Sequence, residues 1–171
     1  MKYKKINSEY NMDRKYKIGL TIGKFAPFHK GHQFLIETAL SRVDKLIVMI
    51  YDCPEITNIP LSVRAGWIKK LYHGVVIIEA YGSPKKIGKD EEAIKAQTDY
   101  ILGKVSGYKI THFFSSEWYG KYVSKVLGAE NVLVDADRKK FPISGSLSRS
   151  DIEKYKDMIN QDVYRDLMAY K

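Results

Sequence analysis

Residues 17–35 read KIGLTIGKFAPFHKGHQFL, and this stretch is the strongest indication of the fold. Its first part, residues 17–22, is a short, nearly continuous apolar run, as is typical of a strand buried on both faces. Apolar residues then recur at helical spacing, which predicts a helix over residues 31–42. A strand that passes through a glycine-containing turn into a helix is the first half of a βαβ unit.

The same alternation continues along the chain. Further apolar runs rich in β-branched residues predict four more strands, at residues 45–51, 75–80, 112–115 and 131–134. Amphipathic segments predict helices at residues 62–71, with Ser62 as a cap, and at 91–105, 118–127 and 151–168. Together they predict an α/β protein, a single Rossmann-like doubly wound domain with a five-stranded parallel sheet. Its ligand site is expected beyond the carboxyl ends of the strands.

Length and composition indicate an ordinary globular protein. The 171 residues are 44% hydrophobic and 29% charged, which argues against a disordered chain and against a membrane protein. No stretch approaches the roughly 18 apolar residues of a membrane helix, and the N-terminus lacks the apolar run of a signal peptide. We therefore expect a cytoplasmic protein with a flexible leader at residues 1–16 and one domain with C-terminal helices at residues 17–171.

The charge balance indicates the kind of partner. The chain has 29 lysines and arginines against 20 aspartates and glutamates, a formal net charge of +9. This charge favours anionic partners, and nucleotides, nucleic acids and acidic membranes are all compatible with it. The single cysteine, Cys53, excludes an intramolecular disulfide and suits a reducing cytoplasm.

The turn between the first strand and the first helix carries a phosphate-binding pattern. Gly23 allows the backbone to approach a ligand closely, and Gly31 opens a helix whose free N–H groups and positive dipole end attract phosphate. His29 and His32 are expected on one side of this turn. One alternative is that both side chains satisfy backbone groups in the turn. Another is a metal pair, but with four histidines and one cysteine in the chain no further zinc ligands of suitable spacing are evident.

This turn resembles the GxFxPxHxGH signature of the HIGH-containing nucleotidyltransferases, and the matching residues are Gly23, Phe25, Pro27, His29, Gly31 and His32. The resemblance implies that His29 and His32 stabilise the α-phosphate of a nucleoside triphosphate while an acceptor attacks in line and pyrophosphate leaves. It also implies a further phosphate contact from Lys24 and nucleotide contacts from Gly23, Phe25 and Gly31. Positioned donors and cations supply most of the catalysis in such transfers, and Mg²⁺ bound with ATP is expected for the same reason.

A second anion site is indicated at residues 143–149, which read ISGSLSR. Hydroxyl side chains at a helix start can cap the helix, and the exposed N–H groups together with Arg149 can bind an anion; capping alone is the alternative. The segment resembles the ISSTxIR loop of the same superfamily, which implies contacts to the β- and γ-phosphates from Ser144, Gly145, Ser146 and Arg149. Ser148 departs from the family pattern, because it replaces the usual aliphatic residue beside Arg149.

Three further segments, residues 61–67, 115–120 and 134–145, resemble the NadR group of nicotinamide mononucleotide adenylyltransferases. The resemblance implies that Ser116 and Glu117 lie beside the adenosine of the nucleotide. It also makes Arg64 and Trp67 candidates for contact with the substrate.

The acceptor side differs from that group. Residues 83–90 read SPKKIGKD, a basic segment where the NadR group has an acidic one that contains tryptophan. Lys85, Lys86 and Lys89 are therefore candidates for contact with a different phosphorylated acceptor.

The expected function is transfer of AMP from ATP to nicotinamide mononucleotide, with NAD and pyrophosphate as products. One alternative keeps the chemistry and changes the acceptor, or changes the donor to CTP. Another is a nucleotide-binding sensor without catalysis. A third is an RNA-binding protein, which the net positive charge and the 13 tyrosines favour. The third leaves both phosphate motifs unexplained. ATP and a phosphorylated small molecule are thus the expected partners, with neither membrane nor nucleic acid, and a homo-oligomer is left open.

Overall fold

Five parallel strands form one sheet in the computed structural model, which describes residues 15–85 and 88–170. The strands are β1 (Ile18–Gly23), β2 (Lys45–Tyr51), β3 (Val76–Ala80), β4 (His112–Ser115) and β5 (Glu130–Leu133). Their order across the sheet is β3-β2-β1-β4-β5. Each strand agrees with its sequence prediction to within one residue at either end, and the α/β fold with a parallel sheet is confirmed. Most of the predicted leader, residues 1–14, lies outside the described residues.

Helices connect the strands and cover both faces of the sheet. The crossover helices are α1 (Lys30–Leu40), α2 (Leu61–Leu71), α3 (Glu91–Val105) and α4 (Gly120–Leu127). After β5 the chain forms α5 (Gly145–Ser150), a 3₁₀ turn (Lys156–Met158) and α6 (Gln161–Ala169). Helix α2 starts after Pro60, so Ser62 lies inside the helix and does not cap it. None of the helices found in residues 15–85 and 88–170 is long and apolar enough to cross a membrane.

The C-terminal region differs from its prediction as one helix over residues 151–168. Ile159 takes an extended conformation and forms an isolated antiparallel bridge with His29. Asn160 then caps α6, because its side chain accepts a hydrogen bond from the N–H of Asp162 at 2.9 Å. A contact with a residue far away in the sequence therefore interrupts a segment whose local pattern favours a helix.

Alternate residues of the central strands pack into two apolar layers. In β2, Leu46, Val48 and Ile50 pack on the side of α1, α2 and α6, whereas Ile47 and Met49 pack on the side of α3 and α4. All five side chains are fully buried. Burial on both faces explains why the strands appear in the sequence as continuous apolar runs.

The winding of the sheet reverses at β1. This strand pairs with β2 on one side and with β4 on the other; Thr21 lies opposite Val48 and Phe114 in the two registers. The loops after β1 and β4 therefore leave the sheet next to each other, at its carboxyl edge. In doubly wound sheets this is where ligands bind.

Candidate active site

A cavity of about 720 Å³ lies where the loops after β1 and β4 leave the sheet. Its volume is in the range that small-molecule sites usually have. Most of the residues that the sequence singles out line this one cavity: Gly23, Lys24, Phe25, His29, Gly31, His32, Ser116, Glu117, Ser144, Gly145, Ser146 and Arg149. They come from three separate segments, which the sheet brings together.

Arg64 and Trp67 do not lie on this cavity, which differs from the sequence-based expectation. Arg64 is 1% exposed, and its guanidinium donates hydrogen bonds to three backbone carbonyls, those of Ile59 (3.2 Å), Lys24 (2.5 Å) and Tyr51 (2.9 Å). Trp67 is also buried, and its Nε1–H donates to the carboxylate of Asp166 at 2.8 Å. Both side chains thus connect elements of the fold, and neither is placed to contact a ligand in the cavity.

His29 and His32 lie side by side at the N-terminus of α1. Nδ1 of His29 accepts a hydrogen bond from the N–H of His32 at 3.4 Å, and Nδ1 of His32 accepts one from the N–H of His29 at 3.3 Å. The rings are stacked, with centroids 3.7 Å apart and 17° between their planes. Because each Nδ1 is an acceptor, each neutral ring carries its own hydrogen on Nε2. The reciprocal cap thus fixes the tautomer of both rings.

Gly31 and two phenylalanines hold this arrangement. A Cβ on Gly31 would lie 3.1 Å from Cε1 and Nδ1 of the His29 ring, so a glycine allows that ring to lie over the first turn of α1. The ring of Phe28 is stacked on His32 with centroids 5.8 Å apart, and Phe25 meets His32 edge-on at 4.8 Å. Phe25 adopts a left-handed backbone with φ of 47° and is almost fully buried, so it shapes the loop after β1 from within.

The surroundings keep both histidines neutral. Burial, followed by the charge of Arg138, lowers the pKa of His29 from 6.5 to about 4. Burial lowers the pKa of His32 well below its usual value, and His29 and Arg138 add to the effect. Nε2 of His29 is buried and has no hydrogen-bond partner within the described chain. The pair therefore offers neutral N–H donors, while the positive charge on the cavity wall comes from Lys24, Lys85, Arg138 and Arg149.

The second motif forms the short helix α5. Ser144 is its N-cap, since its hydroxyl oxygen accepts a hydrogen bond from the N–H of Leu147 at 3.1 Å. Ser148 is fully buried, and its hydroxyl lies within hydrogen-bonding distance of two carbonyls inside the helix. The hydroxyl that serine introduces in place of an aliphatic side chain therefore has hydrogen-bond partners within its own helix.

Arg149 joins the second motif to the first. Its Nη1 donates to the carbonyl of Ala26 at 2.5 Å, and Nη2 lies 3.4 Å from the hydroxyl of Ser146. A Cβ on Gly145 would lie 3.0 Å from Nη1 of Arg149, so glycine leaves room for the guanidinium. These contacts place the N-terminus of α5 beside the loop that carries His29.

The loop after β4 is tied to the loop after β5. The hydroxyl of Ser116 donates to the carbonyl of Val134 at 2.6 Å, and the carboxylate of Glu117 accepts a hydrogen bond from Arg138 at 2.7 Å. Arg138 also lines the cavity. Arg138 lies within the NadR-like segment at residues 134–145, which gave no role to it, although an arginine soon after the carboxyl end of a strand is a usable signal.

One wall of the cavity, formed by residues that follow β3 and β4, is aromatic and basic. Trp118 is 42% exposed and lines the cavity with Tyr119 and Tyr122, whose rings meet it edge-on at 6.1 and 5.9 Å. Nζ of Lys89 lies 5.3 Å from the centroid of the Trp118 ring, and Lys85 is on the cavity wall. Lys86, the third lysine of the predicted basic segment, lies outside the described residues.

Comparison with known families and proteins gives a consistent result. The model of the cytidylyltransferase-like family matches residues 20–150. The chain is 31% identical to the trifunctional NAD biosynthesis/regulator protein NadR of Salmonella typhimurium over an alignment of 171 residues, which covers 88% of this chain and 40% of NadR. The chain thus spans about two fifths of the length of this relative.

Two solved structures have the same fold. A crystal structure of NadR in complex with NAD and AMP-PNP superposes with a TM-score of 0.64 at 18% identity, covering 88% of this chain and 46% of the other. A bifunctional NMN adenylyltransferase/ADP ribose pyrophosphatase from Francisella tularensis, complexed with AMP and a manganese ion, gives a TM-score of 0.55 at 22% identity, covering 91% and 52%. Both confirm the Rossmann-like architecture.

Proposed function

The chain belongs to the cytidylyltransferase-like family of nucleotidyltransferases, and we propose that it transfers AMP from ATP to nicotinamide mononucleotide, giving NAD and pyrophosphate. The observation that carries this proposal is the meeting of two phosphate-binding motifs on one cavity. His29 and His32 lie at the N-terminus of α1, and Arg149 on α5 bonds to Ala26 in the loop that precedes them. A triphosphate between the two helix starts would meet both motifs at once.

In this proposal the triphosphate binds at the N-terminal ends of α1 and α5. The Nε2–H groups of His29 and His32 donate to oxygens of the α-phosphate, and Lys24 and Arg149 bind the β- and γ-phosphates. An oxygen of the acceptor phosphate attacks the α-phosphorus, and the bond from that phosphorus to the bridging oxygen breaks, so pyrophosphate leaves with the electron pair. No bond to the protein forms, and catalysis depends on donors held in place before the reaction.

A divalent cation fits this site as a companion of the nucleotide. Within residues 15–85 and 88–170, no group of three or more histidine, cysteine, aspartate or glutamate side chains is arranged to hold a metal ion. Mg²⁺, the ion we propose, keeps several waters and is usually held by substrate phosphates with few protein ligands. When bound, it supplies positive charge to the departing pyrophosphate.

The choice of nicotinamide mononucleotide as acceptor is supported by likeness to NadR, a protein named for NAD biosynthesis. The aromatic and basic wall of the cavity is compatible with such an acceptor. Trp118 offers a half-exposed aromatic face to a heteroaromatic ring, and Lys85 adds positive charge for an acceptor phosphate.

An acceptor scan tests this proposal. Purified protein with Mg²⁺ and ATP is assayed for pyrophosphate release with nicotinamide mononucleotide, nicotinate mononucleotide, phosphopantetheine, flavin mononucleotide and glycerol phosphate, and the scan is repeated with CTP. We expect release with nicotinamide mononucleotide and a product of the mass of NAD. Release only with another acceptor or with CTP would change the substrate, and tight ATP binding without any release would favour a nucleotide sensor.

A further inference from the structure

One guanidinium connects the two segments that we assign to the nucleotide. Nη2 of Arg138 donates to the carboxylate of Glu117 at 2.7 Å, in the loop after β4. Nη1 donates to the carbonyl of Ile143 at 2.7 Å, directly before Ser144, which caps α5. These contacts use two of the five N–H groups of an arginine, so donors remain for a phosphate oxygen.

The backbone holds Arg138 in an unusual conformation. Its φ is 52°, in the left-handed region that residues with a Cβ seldom adopt. The N–H of Arg138 donates to the carbonyl of Asp135 at 2.8 Å, and the Asp135 carboxylate accepts hydrogen bonds from the N–H groups of Lys140 and Phe141. A conformation of this kind persists where neighbouring bonds determine it, and such positions are common at functional sites.

The charge of Arg138 acts on the histidine pair. It is among the causes that lower the pKa of both His29 and His32, after burial in each case. Arg138 also lines the cavity and is 35% exposed at its side chain. The guanidinium is therefore both within electrostatic range of the histidines and open to a ligand.

We propose that Arg138 is a positioning residue for the triphosphate. It sets the separation between the loop at Glu117 and the start of α5, and it presents a positive charge to phosphates bound beside His29 and His32. This inference rests on the proposed function for its ligand. The alternative is that Arg138 only forms a partly exposed ion pair with Glu117, which would contribute little to stability and nothing to ATP binding.

Three variants separate these accounts. Arg138→Met removes the charge and both hydrogen bonds at similar volume, while Arg138→Lys keeps the charge but cannot bridge two acceptors in the same way. Lys139→Met is the matched control, because Lys139 is the next residue, is 82% exposed at its side chain and is paired with Asp137 at 3.2 Å. All three variants are first compared with the wild type by thermal unfolding.

The readouts are the Kd for ATP, measured by calorimetry without acceptor, and the KM for ATP and kcat in the complete reaction. We expect Arg138→Met to lower kcat/KM for ATP by roughly 100-fold, in line with the loss of one preorganised donor. Arg138→Lys should have a kcat within about tenfold of the wild-type value, while its KM for ATP should remain at least tenfold above that of the wild type. Lys139→Met should change neither quantity by more than about twofold.

The inference is overturned if Arg138→Met has the wild-type Kd for ATP and the wild-type kcat. It is also overturned if Lys139→Met has as large an effect as Arg138→Met, because the loss of any positive charge would then explain both results. If Arg138→Met does not fold, Arg138→Lys carries the test, and wild-type values for both kcat and the KM for ATP overturn it. The calorimetric readout needs no acceptor. Weakened ATP binding in Arg138→Met therefore supports the inference even if the protein does not turn over nicotinamide mononucleotide. Failure to turn over that acceptor would refute only the proposed acceptor.

Discussion

His29 serves the helix through one ring nitrogen and leaves the other for a ligand. Nδ1 caps α1, whereas Nε2 is buried without a hydrogen-bond partner in the described chain. A buried donor that lacks a partner costs free energy, and a phosphate oxygen bound beside His29 would remove that cost. The two roles can be separated by substitution, because an asparagine at an N-cap position also accepts from the helix N–H groups.

His29→Asn should keep the cap and lose the Nε2 donor. We expect kcat to fall by roughly two to four orders of magnitude, as for the loss of a transition-state donor, with an ATP Kd within a few-fold of the wild type. His29→Ala should also lose the cap, at a cost of about 0.5–2 kcal/mol in the free energy of unfolding. Steady-state kinetics, calorimetry and urea unfolding measure the three quantities. An equal loss of ATP binding and turnover in His29→Asn would count against the proposed role.

The pH dependence follows from the lowered pKa of His29, about 4 compared with 6.5 for a free histidine. In the free protein the His29 ring stays neutral from about pH 8 to about pH 5, so we expect kcat/KM for ATP, which reports on the free enzyme, to show no step from His29 over that range. As the pH falls below 6.5, the unfolded state takes up a proton before the folded state does, so the free energy of unfolding decreases towards pH 4. His29→Asn should show a flatter decrease. A fall in wild-type kcat/KM for ATP that is centred near pH 6.5 and absent from His29→Asn would contradict this expectation.

At the scale of elements, α5 carries Arg149 to the cavity, and Gly145 makes room for it. A Cβ at position 145 would lie 3.0 Å from Nη1 of Arg149 and 3.4 Å from the Ala26 carbonyl oxygen. We expect Gly145→Ala to displace the guanidinium and to weaken ATP binding by roughly tenfold, with Arg149→Ala weakening it at least as much. Gly103→Ala is the control, because a Cβ at that position of α3 meets nothing within 4 Å.

Calorimetry with ATP, together with the melting temperature, checks this expectation. Gly103→Ala should leave ATP binding unchanged and keep or raise the melting temperature, since alanine favours a helix over glycine. In the double variant Gly145→Ala/Arg149→Ala the effects should not add, because both act through one guanidinium. Full additivity would show that position 145 affects the nucleotide by another route.

The elements that the sequence predicts correctly are those with a strong local signal. The strands are continuous apolar runs, and the turn after β1 carries a motif within ten residues, so neither depends on distant contacts. The break at Ile159 and Asn160 is different, because it depends on a bridge from Ile159 to His29 across the molecule. Local periodicity cannot reveal such a contact.

At the scale of the whole molecule, Arg64 connects two loops from within the core. Its guanidinium donates to the carbonyl of Lys24, in the loop after β1, and to those of Tyr51 and Ile59, at the end of β2 and in the loop that follows it. The resemblance of residues 61–67 to a known family favoured a substrate contact for Arg64. That resemblance gives no information about which groups the guanidinium contacts. Its destination depends on loops that meet only in the folded protein.

Arg64→Met should therefore reduce stability. We expect the free energy of unfolding to fall by roughly 2–4 kcal/mol, because buried carbonyls lose their donor. Arg165→Met is the control; Arg165 is 71% exposed at its side chain and pairs with Asp162, so its loss should cost less than about 1 kcal/mol. Urea unfolding measures both. Full stability of Arg64→Met with weakened substrate binding would restore the substrate role.

The cavity also combines residues that a local sequence pattern identifies with residues that only the fold brings together. The end of the cavity that we propose to bind phosphate consists of two compact motifs, and the sequence singles out most of the residues that line it. The aromatic and basic wall draws residues from several loops, among them Asp52, Lys85 and Trp118, and neither the basic segment 83–90 nor the segment 115–120 identifies the acceptor. This is why the transfer chemistry was easier to predict than the acceptor.

Transfer of AMP to the acceptor, aided by His29 and with release of pyrophosphate, can be followed in a single-turnover reaction. Excess enzyme is mixed with limiting ATP, Mg²⁺ and nicotinamide mononucleotide, and the products are separated and identified by mass spectrometry. We expect equal amounts of NAD and pyrophosphate from the wild type, and almost none from His29→Asn despite bound ATP. Release of ADP and phosphate, or equal yields from both proteins at equal rates, would contradict the account.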